Sequence, residues 1–180
     1  MPIPFRDHTA HTDLGLAGYL RFVDEPDGRG LRGALFLIDA LGNPVDFSFN
    51  RVELPRPFLW RTNEPRRNAI RELAKSLFAA CSGQPLLLLT LAEEVPLQIF
   101  VEDLEVLIPL CRLSNAAQKS PTPAEAADMV DGQIDLAWVS GAPLPETPAR
   151  QLLDALRERR LLTEPFERVA VGLEEACRAV

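Results

Sequence analysis

Residues 32 to 84 read RGALFLIDALGNPVDFSFNRVELPRPFLWRTNEPRRNAIRELAKSLFAACSGQ, and this stretch decides the fold. In Leu31–Asp39 apolar residues occupy both alternating faces, which predicts a strand buried on both sides. Val45–Leu54 alternates apolar and polar residues, as is typical of a half-buried strand that pairs back antiparallel. Between them, Leu41–Pro44 (LGNP) combines residues that favour turns, so the chain is expected to reverse there.

The end of the stretch predicts a helix over residues 64–82. Pro55 and Pro57 lack the N–H that a strand ladder needs, and they end the preceding strand. Asn63 is the expected N-cap, and Gly83 is expected to close the helix in the left-handed conformation. Apolar residues spaced by three and four form one stripe, made of Ile70, Leu73, Ala74, Leu77, Phe78 and Cys81.

Further strands are predicted on both sides of residues 32 to 84. Gly18–Val23 precedes it, so the first three strands form an antiparallel meander. Pro85–Leu91 (PLLLLTL) is typical of a strand buried on both faces after a helical crossover. Residues 97–104 fit either a short helix or a strand, and Pro109 predicts an edge or a bulge for the strand around it. Ile134–Ser140 returns to a strand.

The predicted fold class is therefore α/β or α+β: a three-stranded meander, a helix, a buried central strand, further strands and two C-terminal helices. Thr147 and Thr163 are the expected caps of those two helices. As an analogy of architecture, this order is compatible with a ribonuclease-H-like fold. We expect a flexible N-terminal arm over residues 1–13 and a single domain over 14–180, with a mobile loop at about 114–132.

Composition narrows the class of protein. The formal net charge of −7 over 180 residues argues against nucleic-acid binding across the whole surface. The three cysteines are odd in number and lack C-x-x-C spacing, which favours free thiols in a reducing cytoplasm. No apolar run reaches the roughly 18 residues of a membrane span. We therefore expect a soluble cytoplasmic protein.

A group of arginines at residues 51–71 is the main departure from the acidic character of the chain. Several lie at or before the predicted helix N-terminus, whose free amides favour anions, so a phosphate group or an acidic partner could dock there. Pairing with the chain's own carboxylates is the favoured interpretation, and contact with nucleic acid is not favoured. The candidate contact residues are Arg51, Arg56, Arg61, Arg66, Arg67 and Arg71, with Trp60 for stacking.

Three carboxylates are the candidates for a pocket. Glu93 and Glu94 follow the buried strand, where ligands of open α/β sheets gather, and Asp39 ends another strand. The acidic turn at residues 24–27 is interpreted as solvated, because the spacing of a calcium loop is not met. A two-metal nuclease needs converging carboxylates, usually including one in the middle of a central strand.

No established catalytic pattern is present. The chain has no Walker loop, and its two histidines, His8 and His11, lie in the N-terminal arm. We therefore predict no catalytic residue, no metal site and no cofactor, and the balance leans away from an enzyme.

These observations favour a non-catalytic accessory or protein-interaction subunit of a cytoplasmic bacterial-type assembly. Its contact with another protein would run through the arginine group. The alternative is a metal-dependent nuclease or phosphotransfer enzyme that uses Asp39, Glu93 and Glu94. A third possibility is a small-molecule pocket at the end of the Leu86–Leu91 strand.

Overall fold

The computed structural model describes residues 14–55, 64–115, 127–130 and 134–178. Its strands are β1 (Leu16–Asp24), β2 (Gly30–Asp39), β3 (Pro44–Glu53), β4 (Pro85–Leu91), β5 (Leu110–Asn115), β6 (Ala127–Val130) and β7 (Ile134–Trp138). Its α-helices are α1 (Glu64–Ala80), α2 (Pro148–Glu158) and α3 (Glu164–Arg178), and a π-helical turn spans Ile99–Asp103.

In this described part the strands form one seven-stranded sheet in the order β3-β2-β1-β4-β5-β7-β6. Strands β1, β2 and β3 are the predicted antiparallel meander. Helix α1 then carries the chain across the sheet, so that β4 pairs parallel with β1, and β5 pairs parallel with β4. Strand β7 pairs antiparallel with both β5 and β6. The predicted mixed α/β order is confirmed.

The sheet is covered on both faces because its central strands are apolar on both faces. Leu35 and Leu37 pack on the side of α1, together with Leu73. The residues that alternate with them, such as Phe36 and Ile38, pack on the side of α2 and α3. Full burial of one such side chain stabilises a fold by about 1.5–3 kcal/mol, so this two-sided pattern provides much of the driving force for folding.

Helix capping differs from the prediction at Gly83. Helix α1 ends at Ala80, and Gly83 is not among the glycines with positive φ. A Cβ atom at Gly83 would lie 2.7 Å from Leu37 Cδ1 and 3.0 Å from Leu16 Cδ1. Close packing against these two leucine side chains therefore favours glycine there. Gly42 does have a positive φ of 87°, as the predicted turn requires.

Strand β5 also departs from the prediction. It begins directly after Pro109 and lies between β4 and β7, in the interior of the sheet. Pro109 therefore does not make this segment an edge strand, because the proline precedes the ladder. The predicted arm at 1–13 lies outside the described residues, as does most of the predicted loop at 114–132. Within that loop, Ala127–Val130 forms strand β6.

Candidate functional site at the carboxyl edge of β1 and β4

Three carboxylates gather where the parallel strands β1 and β4 end. Asp24 is the last residue of β1, and Glu93 and Glu94 follow β4 in a tight turn that is closed by the Glu94 N–H donating to the Leu91 carbonyl at 3.2 Å. Parallel strands place their carboxyl ends at one edge of the sheet, which is where ligands of α/β proteins usually bind. We call this region the carboxyl edge.

Glu94 is held in a nearly buried ion pair with Arg21. Glu94 Oε1 accepts from Arg21 Nε at 2.8 Å and from Nη2 at 2.5 Å, and Oε2 accepts the Phe22 N–H at 3.1 Å. Arg21 Nη1 donates to the Phe166 carbonyl at 3.0 Å. The two charged side chains are only 17% and 10% exposed. This pair therefore ties β1 to the turn after β4 and to the start of α3.

Asp24 forms a more exposed ion pair with Arg66. Arg66 Nε lies 3.1 Å and 3.3 Å from the two Asp24 carboxylate oxygens. The same guanidinium donates from Nη1 to the Glu94 carbonyl at 3.0 Å. The side chains of Arg66 and Asp24 are 32% and 54% exposed. Arg66 lies in the first turn of α1, so it joins that helix terminus to the ends of both strands.

A third arginine supports the turn after β4 from strand β5. Arg112 Nη2 donates to the carbonyls of Ala92 and Val95, both at 3.1 Å. Arg112 is paired in register with Thr90, whose side chain is completely buried. Arginines from β1, α1 and β5 thus hold residues 92–95 from three sides, and the exposed Glu93 lies within that fixed turn.

The carboxylates do not form a preassembled metal cage. Neither the middle of β1 (LAGYLRFV) nor β4 (PLLLLTL) contains an acid. In residues 14–55, 64–115, 127–130 and 134–178, no three His, Cys, Asp or Glu side chains lie close enough together to hold a metal ion. The charge of Glu94 is compensated by Arg21, and only Asp24 and Glu93 are strongly exposed.

Asp39 lies at the opposite edge of the sheet. Strand β2 is antiparallel to β1, and Asp39 is paired with Leu16 at the beginning of β1. The Asp39 Oδ1 atom accepts the N–H groups of Leu41 and Asn43 at 2.8 and 2.9 Å. The structure therefore brings Glu93 and Glu94 together and separates Asp39 from them, because this carboxylate caps the β2–β3 turn.

Two of the predicted contact arginines line a cavity of about 180 Å³ beside α1. Arg67 bonds to Asp103 and, at 2.7 Å, to Glu102, and these two bonds raise the pKa of Arg67. Arg71 Nη2 donates to Asn68 at 2.6 Å. The arginines here are thus paired within the chain.

The remaining predicted contact residues are dispersed. Arg51 pairs with Glu25 at 2.6 Å on the side of β3, and the hydrogen bond that it donates to Glu25 is the main cause of its raised pKa. Arg56, Trp60 and Arg61 lie outside the described residues. Among the described residues of this set, Arg66 alone reaches the carboxyl edge. Three cavities among the described residues, of about 180, 630 and 320 Å³, are lined by residues other than Glu93 and Glu94.

Sequence reasoning missed Arg21 and Arg112. The available signal was a single arginine inside each of two otherwise apolar segments, GYLRFV and LCRL. A charged side chain in a buried strand requires a partner. That signal indicates that partners exist, although it does not identify Glu94 or the carbonyls of the turn.

No family model and no curated protein matches this sequence. Among solved structures, the chain is similar to Endonuclease V from Streptomyces avermitilis, with a TM-score of 0.55 and 11% identity over 91% of this chain and 83% of that one. Endonuclease V from Bacillus subtilis matches with a TM-score of 0.41 and 12% identity, over 83% and 82% of the two chains.

Argonaute from Marinitoga piezophila, in complex with guide RNA, matches with a TM-score of 0.45 and 9% identity over 88% of this chain and 27% of that one. These two weaker matches carry no argument. The match at 0.55 supports the mixed α/β fold, and it is consistent with the ribonuclease-H-like order that the sequence left as one option.

The prediction of a non-catalytic accessory or interaction subunit is wrong. The solved structure that the chain resembles at a TM-score of 0.55 is an endonuclease. Among the described helices, none is both long and apolar enough to cross a membrane.

Proposed function

We propose that this chain is a nuclease-type protein that binds the backbone of a nucleic acid at the carboxyl edge and cleaves it with the help of a divalent cation. The observation that carries the proposal is the placement of Asp24, Glu93 and Glu94 at the ends of the two central parallel strands. The likeness of the fold to an endonuclease supports the same conclusion.

The carboxylate oxygens at the carboxyl edge fit one particular mode of cation binding. Mg²⁺ commonly binds to one or two carboxylates and takes its remaining ligands from substrate phosphates and water. Asp24 and Glu93 are exposed carboxylates that suit this mode, whereas the described residues do not suit a cage made by protein alone. A cation bound there would neutralise charge on the phosphate during hydrolysis.

The remaining residues of the site have roles that follow from their contacts. Arg21 and Arg112 fix the turn that carries Glu93, so its carboxylate is presented from a rigid support. Arg66 lies beside Asp24, and its positively charged guanidinium can pair with a phosphate oxygen. We place the protein in the cytoplasm, since Cys81, Cys111 and Cys177 form no disulfide with one another.

The direct test is a cleavage assay with end-labelled single-stranded DNA, duplex DNA, RNA and an RNA–DNA hybrid. Each substrate is incubated with the purified chain in Mg²⁺, in Mn²⁺ and in a chelator. We expect cation-dependent cleavage of at least one substrate, and a loss of at least about 100-fold in rate for Asp24→Asn, since one well-placed electrostatic group commonly contributes that much.

Asp154→Asn is the matched control. Asp154 is 49% exposed and pairs with Arg150 at 3.4 Å on helix α2, so it resembles Asp24 in exposure and pairing but lies far from the carboxyl edge in the chain. Its variant is expected to cleave like the parent protein. Equal activity in Asp24→Asn and Asp154→Asn would identify a contaminating nuclease and contradict the proposal, as would the absence of cleavage.

A further inference from the structure

The two ion pairs at the carboxyl edge differ in how readily an incoming phosphate can reach them. Arg21 uses Nε and Nη2 for Glu94 and Nη1 for the Phe166 carbonyl, and its side chain is 17% exposed. Arg66 is about twice as exposed, at 32%, and its carboxylate partner Asp24 is 54% exposed. Exposed ion pairs contribute only about 0–1 kcal/mol, so replacing Asp24 by another anion costs little.

Arg66 is also suited to a phosphate by its position. It lies in the first turn of α1, where the helix dipole favours negative charge. Its planar guanidinium can donate two parallel hydrogen bonds to a phosphate, whereas Asp24 now receives a single donor, Nε, shared between its two oxygens. The phosphate would therefore take the place of the Asp24 carboxylate.

Local charge makes that exchange depend on a cation. Three exposed acids surround the site: Glu64 is close to Arg66 in the sequence, and Asp24 and Glu93 lie at the same edge of the sheet. Together they would repel a phosphate that arrives without a cation. A divalent cation bound by Asp24 removes part of this repulsion. In the absence of phosphate, the same Asp24 is engaged by Arg66, which lowers its availability to a cation.

Resting on the proposed function, we propose that Arg66 is the phosphate contact of the site and exchanges its partner when substrate binds. The phosphate binds to Arg66, Asp24 is released, and the released carboxylate holds the divalent cation. Nucleic acid and cation therefore bind with positive linkage, each raising the affinity for the other by the same factor. Arg21 and Glu94 stay paired throughout.

The test measures binding, without cleavage. Free Mn²⁺ is followed by electron paramagnetic resonance as the protein is titrated, with and without a short phosphorothioate oligonucleotide that resists hydrolysis. Binding of the same fluorescently labelled oligonucleotide is followed by anisotropy in Mn²⁺ and in a chelator. In the parent protein we expect each ligand to raise the affinity for the other by about tenfold, within the usual range of coupling between sites.

The variant Arg66→Ala distinguishes the exchange of partners at Arg66 from simple electrostatic attraction of the phosphate. Removing Arg66 frees Asp24, so we expect Mn²⁺ alone to bind about twofold to fivefold more tightly, which is the range set by an exposed ion pair. The affinity for the oligonucleotide is expected to fall about tenfold, and the linkage to disappear. Arg150→Ala removes the arginine of the matched Arg150–Asp154 pair on α2. It should leave the Mn²⁺ affinity, the oligonucleotide affinity and the linkage between them unchanged.

Several results would overturn the inference. If the parent protein binds both ligands without linkage, or if Arg66→Ala weakens Mn²⁺ binding, the exchange does not occur, although a nuclease function would stand. If the parent protein binds neither Mn²⁺ nor oligonucleotide, the proposed function itself fails. Thermal unfolding of each variant verifies that the fold is intact.

Discussion

The carboxyl edge contains two arginine–carboxylate pairs that differ mainly in burial. Arg21 and Glu94 are 17% and 10% exposed, and each also bonds to backbone groups of another segment. Arg66 and Asp24 are 32% and 54% exposed, and Asp24 lies at the very end of its strand. The Arg21–Glu94 ion pair therefore fixes the structure, whereas the Arg66–Asp24 ion pair remains accessible to a ligand.

The difference follows from the cost of leaving a charge without its partner. A buried arginine deprived of its carboxylate loses its charge compensation where water cannot replace it. An exposed arginine regains hydration when its carboxylate moves away. We expect mutations at the first pair to act on stability and mutations at the second to act on ligand binding.

Breaking the buried pair should have the largest effect. Glu94→Ala leaves Arg21 uncompensated and removes the acceptor of the Phe22 N–H, so the free energy of unfolding should fall by about 3 kcal/mol. Urea unfolding followed by circular dichroism measures this loss. Glu93→Ala, in the exposed neighbouring position, is the control and should change stability by less than about 0.5 kcal/mol.

Double-mutant cycles sharpen the comparison by measuring each pair alone. For Arg21→Met with Glu94→Gln we expect a coupling free energy of about 2 kcal/mol, and for Arg66→Met with Asp24→Asn less than about 0.5 kcal/mol. The cycles come from urea unfolding of the single and double variants. Equal coupling energies in the two cycles would refute the division into a fixed pair and an exchangeable pair.

Asp46 provides a third carboxylate, which is less exposed than Asp24 and is bonded to backbone like Glu94. Its two oxygens accept the N–H groups of Phe47 and Ser82, and the bond from the Ser82 backbone is the main cause of its lowered pKa. A folded-state pKa below the unfolded value adds stability above that unfolded value, near pH 4, and this contribution is lost as the pH falls further.

Asp46→Asn should therefore destabilise the protein by less than about 1 kcal/mol at pH 7. Because the variant has already lost the pH-dependent contribution, its thermal midpoint should fall less than that of the parent protein when the pH is lowered from 5 to about 3. Parallel acid profiles of the two proteins would contradict the assignment of this effect to Asp46.

The smallest effect on stability is expected at Asp24. Asp24→Asn should change the free energy of unfolding by less than about 0.5 kcal/mol, because the ion pair with Arg66 is exposed. The same change should abolish cation-dependent cleavage. A large loss of stability in Asp24→Asn would mean that the carboxylate fixes the structure rather than binding a ligand.

Local sequence patterns were sufficient for much of the fold. The alternation in β1 to β3, the helical stripe of α1 and the apolar run of β4 each depend on neighbouring residues, so their types and approximate bounds were predictable. The interior position of β5 depends on pairing with distant β7, and no local pattern encodes it.

The site was only partly predictable for the same reason. Glu93 and Glu94 were found because they follow a buried strand, but their neighbour Asp24 is identified only by the parallel pairing of β1 with β4. Asp39 was placed with them because it also ends a strand, whereas the antiparallel direction of β2 puts it at the opposite edge. The partners of Arg21 and Arg66 come from segments more than 25 residues away.

The central claim is that nucleic acid binds at the carboxyl edge. Backbone amide chemical shifts, recorded by NMR with and without a phosphorothioate oligonucleotide and Mg²⁺, test it most directly. The account predicts shifts concentrated at Phe22–Asp24, Glu93–Val95 and Glu64–Arg67, with the Asp39–Asn43 turn unchanged. Shifts centred on that turn, or no shifts at saturating oligonucleotide, would contradict the account.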